Sequence, residues 1–458
     1  MRSTLSLMRE DYDSLVSAVS DPDGLERAAY ILCSESTAGD EVRLLGRAIV
    51  PIADEHYRER RADRLSIASD SYAAIAKRAR LMGCRVLFVH SHPNGPAHHS
   101  RQDDAEEPKL MAFLEARTER FGHGSMVVSR NVELAARLWM NSRWHAIERI
   151  RILGEKFEFR EAAAGTQVDT RYFVRQVDAF GPSLQQLLSR LHVGVVGLGG
   201  TGSAVAELLT RLGIGELSLF DGDLFEDSNV SRVYGSTVPD VGRPKSEIAA
   251  EHLKGIGLGT TIHSYGHIST EAVARRLREC DIVFGCTDKQ APRGTLVRLS
   301  LSYLIPVIDV GVRILSDQGQ LLGVYGRITT MLPGEACLFC RGRISPAQIR
   351  LEALSGDARL ALAVEGYAPE LETAEPAVVT FTTGVAAQAV TELIHRLTGF
   401  MGAAGAASEV LPLFHFREIG TNRPAPQADC LCARTDRWGR GDEQPYLGLV
   451  WREESAAG

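Results

Sequence analysis

The sequence predicts an α/β protein in two parts. A mixed α/β domain covers residues 1–150, and a mostly parallel sheet flanked by helices covers 171–433. Three observations predict this. The chain has 458 residues, long for a single domain. Strand-like and helix-like runs alternate from His192 onward. A glycine-rich turn, "GLGGTG", joins the first of those strands to the first of those helices. The composition, 44% apolar and 24% charged, suffices for large cores. A net charge of -7 argues against a nucleic-acid surface as the main business, so no nucleic-acid partner is expected. The opening "MRSTLSLMRED" reaches acids before a signal-like apolar core forms. No apolar run approaches membrane-spanning length. The expectation is a soluble, cytoplasmic chain with no membrane partner, its eight cysteines reduced.

In the first part, Leu5, Met8, Tyr12, Leu15, Val16 and Val19 fall on one helical face and predict an opening helix. "AAYILC" (28–33) and "VRLLGRAIVPI" read as strands. Ser69 or Asp70 caps a helix that runs through Ala79 and stops at Gly83. "RVLFVHS" is a strand ended by Pro93-Asn94-Gly95-Pro96. A helix over 103–116 and a strand "SMVVS" follow. The polar, Ala- and Gly-bearing stretch over 151–170 reads as a linker. Then come "HVGVVG", a helix over 202–212, "ELSLFD", a helix after Pro244, "DIVFGC", a helix after Pro292, and "PVIDVG". The polar end, 434–458, reads as a partly disordered tail.

The stretch "VHSHPNGPAHHSRQDD" (89–104) carries the first chemistry. Residues two apart on a strand share a face, so His90 and His92 can reach one ion. The turn that follows brings Asp103 back as a third ligand. Two imidazoles, a carboxylate and a water make an open zinc site that activates the water. Ser100 stands where its hydroxyl can stabilise an oxyanion. Ser100-x-x-Asp103 is also close to a helix capping box, and His90 with His92 alone would suit a buried pair. The full order H-x-H-P-(x6)-S-x-x-D is more specific than its parts. His98, His99 and His123 read as surface or structural.

This segment resembles the JAB/MPN (JAMM) metalloproteases, which cut peptide or isopeptide bonds at the C-terminus of ubiquitin or its relatives. The resemblance covers about residues 1–150. It implies catalytic zinc on His90, His92 and Asp103, with Ser100 beside the oxyanion. It also implies a glutamate general base at the head of an early apolar strand. Glu26, in "LERAAYILC", fits that place, and Glu35, in "CSES", is the rival beyond the strand's end.

In the second part, Gly197, Gly199, Gly200 and Gly202 follow an apolar strand and open a helix, and Asp221 ends the next strand. Glycines allow close backbone approach, and a helix N-terminus favours phosphate. Alone, this suits an NAD or FAD enzyme equally well. The loop "DGDLFEDSNVSR" then adds Asp223, Asn229 and Arg232; Lys245 follows Pro244, and "GCTDKQAPR" supplies Asp288 and Arg293. A nicotinamide slot is flat and mostly apolar, whereas this set brings acid, Arg and Lys toward a polyphosphate.

The pattern, from about Arg171 to Cys432, resembles the ThiF/MoeB/HesA superfamily of ubiquitin-activating-enzyme-like adenylyltransferases, with a Rossmann-like fold. The resemblance implies that Asp221 holds the ribose of ATP, Arg232 and Lys245 hold phosphates, and Asp288 serves Mg2+ and the reacting centre. "RYFVRQ" is similar to the family's N-terminal segment, where the second Arg, here Arg175, reaches the ATP of a partner subunit; a homodimer is implied. Where relatives often have Gln after the loop Arg, this chain has Val233. "EPAVVTFTTGVAAQAVTELIHRLTG" resembles the family's late strand and helix.

Cys337-x-x-Cys340 and Cys430-x-Cys432 suit a closed, structural zinc site of four thiolates, with redox chemistry at Cys337 and Cys340 as the alternative. Relatives commonly have two C-x-x-C pairs, so the C-x-C is a departure. Cys286 reads as packed, and Cys33, Cys84 and Cys280 read as core or incidental. The segment expected to cross over the second site, about 342–376, contains no Cys, so no thioester nucleophile is evident. A shared client joins the two sites: a ubiquitin-like or sulfur-carrier protein with a Gly-ending tail, trimmed or released at one site and adenylated at the other, then passed to a conjugating enzyme or a sulfur donor. A sulfur-carrier activator for cofactor or cysteine synthesis and a non-catalytic binding protein are the alternatives.

Overall fold

The computed structural model describes residues 2–162, 169–354 and 376–451. The chain forms two compact units. The first is built on 2–162 and includes Ser302–Leu304 and Trp438–Glu443; the second takes the other described residues.

In the first unit the strands are β1 (Arg2–Met8), β2 (Ala28–Ala38), β3 (Glu41–Pro51), β4 (Tyr57–Arg60), β5 (Leu65–Ile67), β6 (Arg85–His92), β7 (Gly124–Ser129), β8 (Leu134–Met140), β9 (Arg143–Leu153) and β10 (Phe157–Glu161). The helices are α1 (Arg9–Val19), α2 (Ser69–Met82) and α3 (Arg101–Thr118). The main sheet runs β1-β3-β2-β6-β7-β8-β9-β10, and β1 also pairs with β9, which closes seven strands into a ring. Closure removes exposed edges. β4 and β5 form a separate hairpin.

Strand alternation divides the core. Ala29, Ile31, Leu87 and Val89 pack with Tyr12, Leu15 and Val19 of α1. Ala28, Tyr30, Val86 and Phe88 pack with Ile75 and Ala79 of α2 and Met111 and Leu114 of α3. Two expectations are corrected here. The opening helix does not include Leu5 or Met8, because Arg2–Met8 is a strand held between β3 and β9. Leu5 and Leu7 are buried at period two, and helical spacing takes over only at Tyr12, Leu15 and Val19. The linker expected from 151 holds instead the end of β9 and all of β10, paired antiparallel.

In the second unit the strands are β11 (His192–Val196), β12 (Glu216–Phe220), β13 (Thr261–Tyr265), β14 (Ile282–Gly285), β15 (Val307–Asp317), β16 (Gln320–Met331), β17 (Glu409–Leu413) and β18 (Glu418–Asn422). The helices are α4 (Val174–Phe180), α5 (Pro182–Leu188), α6 (Gly200–Leu212), α7 (Lys245–Ile256), α8 (Glu271–Ala274), α9 (Gln290–Tyr303), α10 (Pro346–Ala353) and α11 (Val379–Thr398). The sheet order is β13-β12-β11-β14-β15-β16-β17-β18. β13 through β15 are parallel, as alternation predicts, and β16 to β18 are antiparallel. The antiparallel half was not foreseen. Its first turn carries Gln318 and Gly319 at φ +44° and +82°, the left-handed pair that a tight hairpin needs.

Residues 376–378, expected as a late strand, lead directly into α11 without pairing. The polar end is not a loose tail through residue 451. Tyr446 is fully buried, its hydroxyl donates to the Ala274 carbonyl at 3.0 Å, and the Arg275 guanidinium lies 4.3 Å over its ring. Residues 452–458 lie outside the described part.

Candidate functional site

β6 carries His90 and His92 on the face shared with Phe88, toward α3. Ser100 caps α3 and forms a full capping box with Asp103: the Asp103 N–H donates to the Ser100 hydroxyl at 3.2 Å, and the Ser100 N–H donates to the Asp103 carboxylate at 2.6 Å. The cap aims Asp103 at the histidines. Its two oxygens lie 3.4 Å from His90 Nε2 and 3.7 Å from His92 Nε2, and the two Nε2 atoms are 3.2 Å apart. Ligating atoms of all three residues fall within 4.8 Å of one another. Two imidazole nitrogens and a carboxylate converging at this range are a donor set for zinc. Burial would raise the Asp103 carboxyl, but His90 and the Ser100 N–H outweigh it and hold it well below the usual range.

A residue missed in the sequence supports this group. Glu107 is buried, its Oε1 lies 3.7 Å from His90 Nδ1, and it accepts from Ser125 Oγ and, at 2.7 Å, from Arg137 Nη2. Its charge lies beside His90 Nδ1 but beyond hydrogen-bond length, and that nitrogen has no hydrogen-bond partner among the described residues. Its signal was present: it is four residues after Asp103, on the same helical face.

The three candidate ligands line a cavity of about 350 Å³ together with Glu26 and Ser100. Glu26 precedes β2, and Ala28 on β2 registers with His90 on β6. Its N–H donates to the Arg61 carbonyl at 2.8 Å. Only 6% of Glu26 is exposed, and burial pushes its carboxyl up to about 7, opposed by His90 and assisted by Asp103. Glu35 is elsewhere, ion-paired with Arg85 at the opposite end of β6 from His92. His123 is fully buried: the Val86 N–H donates to its Nδ1 at 2.9 Å, and its Nε2 is 2.8 Å from Thr118 Oγ1. His99 Nε2 is 3.1 Å from Ser125 Oγ. His98 neighbours His92, their ring centroids 6.4 Å apart.

In the second unit, strand order reverses between β11 and β14, a switch point that leaves a crevice at the strands' C-terminal ends. Gly197 has φ +88°, and a Cβ there would lie 2.8 Å from the Cys286 carbonyl oxygen. A Cβ at Gly202 would lie 1.8 Å from the Gly197 carbonyl oxygen, so only glycine fits. At Gly199 a Cβ would meet nothing within 4 Å. This open backbone before α6 is where phosphate can approach, and the residues fit a nucleotide in that respect. A Cβ at Gly200 would touch the Arg232 methylenes at 3.2 Å, which brings Arg232 to the same helix start.

Asp221 is buried and accepts from the N–H of Leu198 at 2.7 Å and of Asp223 at 2.8 Å; burial raises its carboxyl. Asp223 pairs with Lys245 at 3.3 Å and His267 at 3.0 Å, and these partners, His267 foremost, hold it well below the usual range. His267 was missed. Asp288 is exposed just past β14, at the sheet end that carries Gly197 and Asp221, where a carboxylate can meet Mg2+. Two expected residues stand differently. Arg293 Nε lies 3.3 Å from Asp309, a fully buried carboxylate that also pairs with Arg327. Asn229 is buried and accepts from the Glu226 N–H at 3.2 Å, so it shapes its own loop. Arg175 is exposed on α4. Val233 packs with Phe225 and Ile248, an apolar contact that a Gln there would not make. Much of the expected crossover segment, 355–375, lies outside the described residues.

The four cysteines meet. Cys337 Sγ is 3.5 Å from Cys430 Sγ, Cys340 Sγ is 3.4 Å from Cys432 Sγ, and all four lie within 4.8 Å. Tetrahedral Zn–S bonds place sulfurs about 3.8 Å apart, so the set fits zinc. Cys430 is the N-cap of the one-turn helix Leu431–Ala433, which carries Cys432. The Cys432 thiol, against burial and with the Cys340 and Phe339 N–H groups, brings Cys337 down to about 5.

Comparison with known proteins follows the same division. Residues 173–432 match the model of the ThiF family, and residues 9–144 match that of prokaryotic homologs of the JAB domain. The chain is 31% identical over 163 residues to the molybdopterin-synthase adenylyltransferase of Escherichia coli K12, covering 35% of this chain and 62% of the relative. It is 29% identical over 178 residues to the SAMP-activating enzyme E1 of Haloferax volcanii, covering 38% and 62%. It is 28% identical over 164 residues to the sulfur carrier protein ThiS adenylyltransferase of Bacillus subtilis, covering 35% and 46%. The chain thus spans less than two-thirds of the length of these curated relatives. With more than half of its residues inside the matched model, the chain belongs to the ThiF family, and it carries a JAB domain ahead of the ThiF part.

Proposed function

We propose that the chain is a bifunctional enzyme: a zinc-dependent peptidase or isopeptidase that trims or removes a ubiquitin-like protein, and an ATP-dependent adenylyltransferase that activates that protein's terminal glycine carboxylate. One observation carries the reading. A single chain brings His90, His92, Asp103 and Glu26 to one cavity and presents a bare glycine turn beside Arg232 and Asp221 in its ThiF part. The relatives' names, an activating enzyme for SAMP and an adenylyltransferase for ThiS, support this kind of client.

In the first unit, His90, His92 and Asp103 would hold zinc, which supplies Lewis acidity toward a water and the scissile carbonyl. Glu26 would accept the water's proton at its carboxylate and return it to the leaving amine. A buried carboxylate beside the ligands is placed to make both transfers in turn. Ser100 Oγ accepts from the Asp103 N–H, so its own proton is free to donate to the oxyanion.

In the ThiF part, Asp221 would hold the ribose of ATP, and Arg232 and Lys245 the phosphates. Asp288 would hold Mg2+, which neutralises charge on the departing pyrophosphate. Lys245 is held by Asp223 and would turn from it toward phosphate. The client's carboxylate oxygen attacks the α-phosphorus and pyrophosphate leaves, giving an acyl-adenylate. Arg175, exposed on α4, would reach the nucleotide of a second copy in a homodimer. The four cysteines would hold a structural zinc.

Incubation with ATP, Mg2+ and a Gly-ending ubiquitin-like or sulfur-carrier protein should exchange labelled pyrophosphate into ATP. Absence of exchange with every such protein sinks the adenylation reading. Asp288→Ala should abolish exchange and leave cleavage intact. A second reading, a sulfur-carrier activator, is favoured by the names of two relatives and by the lack of Cys over 342–376. Intact-mass measurement separates the fates: a thioester adduct on this chain supports conjugation, and a thiocarboxylate on the client supports sulfur transfer.

A further inference from the structure

The cavity at His90 and His92 is larger and more apolar than a glycine tail requires. Beyond the candidate ligands its apolar wall is Leu65, Ile67, Tyr72, Leu110 and Phe88, whose ring stacks on His90 with centroids 5.5 Å apart. Ile67 and Phe88 are buried, and Leu65, Tyr72 and Leu110 are half-buried. The wall is drawn from four elements, β5, α2, β6 and α3. A volume of about 350 Å³ lies in the range that encloses a ligand group. Glycines next to the cut bond have no side chain with which to cover that wall. Asp63 and Glu106 also line the cavity, and Arg64, its cation, pairs with Glu59 at 3.1 Å. An acidic substrate side chain is therefore disfavoured.

We infer that this wall is a specificity pocket for one bulky apolar residue, of the Leu, Met or Phe class, immediately beside the bond to be cut. The client is then one whose cleavage site joins the glycine tail to such a residue. The inference rests on the peptidase reading for its meaning, but the pocket is testable without turnover.

The probes are fluorescein-labelled hexapeptides with a central Gly. The residue before or after that Gly is set to Gly, Leu, Phe, Asp or Lys. Their affinity for the full-length, zinc-loaded Glu26→Gln chain is read by fluorescence anisotropy, and their cleavage by the unaltered chain is read separately. Leu and Phe at one flank should bind at least tenfold more tightly than Gly or Asp. Leu65→Arg should bring the series within about twofold. Leu110→Arg, on α3, should do the same if the β4–β5 hairpin does not tolerate the first change, each variant being checked for native thermal unfolding. Equal affinities across the series, including no binding at all, overturn the pocket whether or not cleavage occurs. A preference for Lys or Asp over Leu overturns it too. The expected preference without cleavage by the unaltered chain leaves the pocket standing and removes the peptidase reading.

Discussion

The two candidate metal centres gather their ligands within the same 4.8 Å and are otherwise built oppositely. The first has three ligands, a cavity of about 350 Å³ in front of them, and a buried carboxylate, Glu26, that is not among the ligands. The second has four sulfurs, with Cys337 and Cys432 buried, and the Gln427 N–H donating to Cys340 Sγ at 3.4 Å. Three ligands and a cavity leave a coordination position for reacting groups, whereas four thiolates leave none. On the proposed reading, ligand count together with the space in front of the ligands separates a centre that would react from one that would fasten the chain.

The largest test of that contrast is Cys340→Ser. A closed centre contributes folding energy directly, so this variant should lose one zinc and lower the melting temperature of the ThiF part by more than about 10 °C. Calorimetry with metal analysis reads both, and an unchanged melting temperature would mean that the four sulfurs do not fasten the fold. Next is His92→Ala. It should lose the other zinc and at least about a hundredfold in cleavage, while pyrophosphate exchange stays at the unaltered level. Loss of exchange in this variant would break the proposed independence of the two sites.

A smaller effect belongs to Glu107→Gln. It keeps the shape beside His90 Nδ1 but removes the charge, and should weaken zinc binding at the open site by about 10–100-fold. Competition with a chelator measures this; unaltered affinity would leave Glu107 a packing residue. The smallest is Glu26→Gln in zinc-free protein. The folded carboxyl sits at about 7 against an ordinary 4.5, so the folded chain holds that proton more tightly than the unfolded chain. The associated stability is complete below pH 4.5 and is lost as pH rises through 7. Replacing the carboxyl should therefore leave stability unchanged near pH 4 and raise it by about 1 kcal/mol at pH 8, a value reduced for solvent screening. Urea titration at the two pH values checks the sign, and a gain at pH 4 alone contradicts it.

The first centre was more legible than the second site. His90, His92, Ser100 and Asp103 lie within fourteen residues, and strand parity with a capping box nearly fixes their mutual placement. Glu26 is remote in sequence, and only the β2–β6 register brings it alongside. The nucleotide set is spread along the chain. There the glycine turn and Asp221 were readable from local pattern, while the pairing of Arg293 with Asp309 was not, because Asp309 lies mid-strand in an apolar run. Leu5 and Met8 misled because a run as short as Leu5, Leu7 and Met8 fits a helical or a strand period when the register of the flanking strands is unknown.

By itself the sequence determined the two-part α/β architecture, the glycine turn and the candidate metal-ligand residue types, because these follow from local period, turn chemistry and ligand spacing. Only the tertiary structure decided that Glu26 rather than Glu35 faces the histidines, that Glu107 backs His90, and that a C-x-C pair reaches a C-x-x-C pair about ninety residues away. These are contacts across strands and helices, and strand register and burial, which no local window contains, set them.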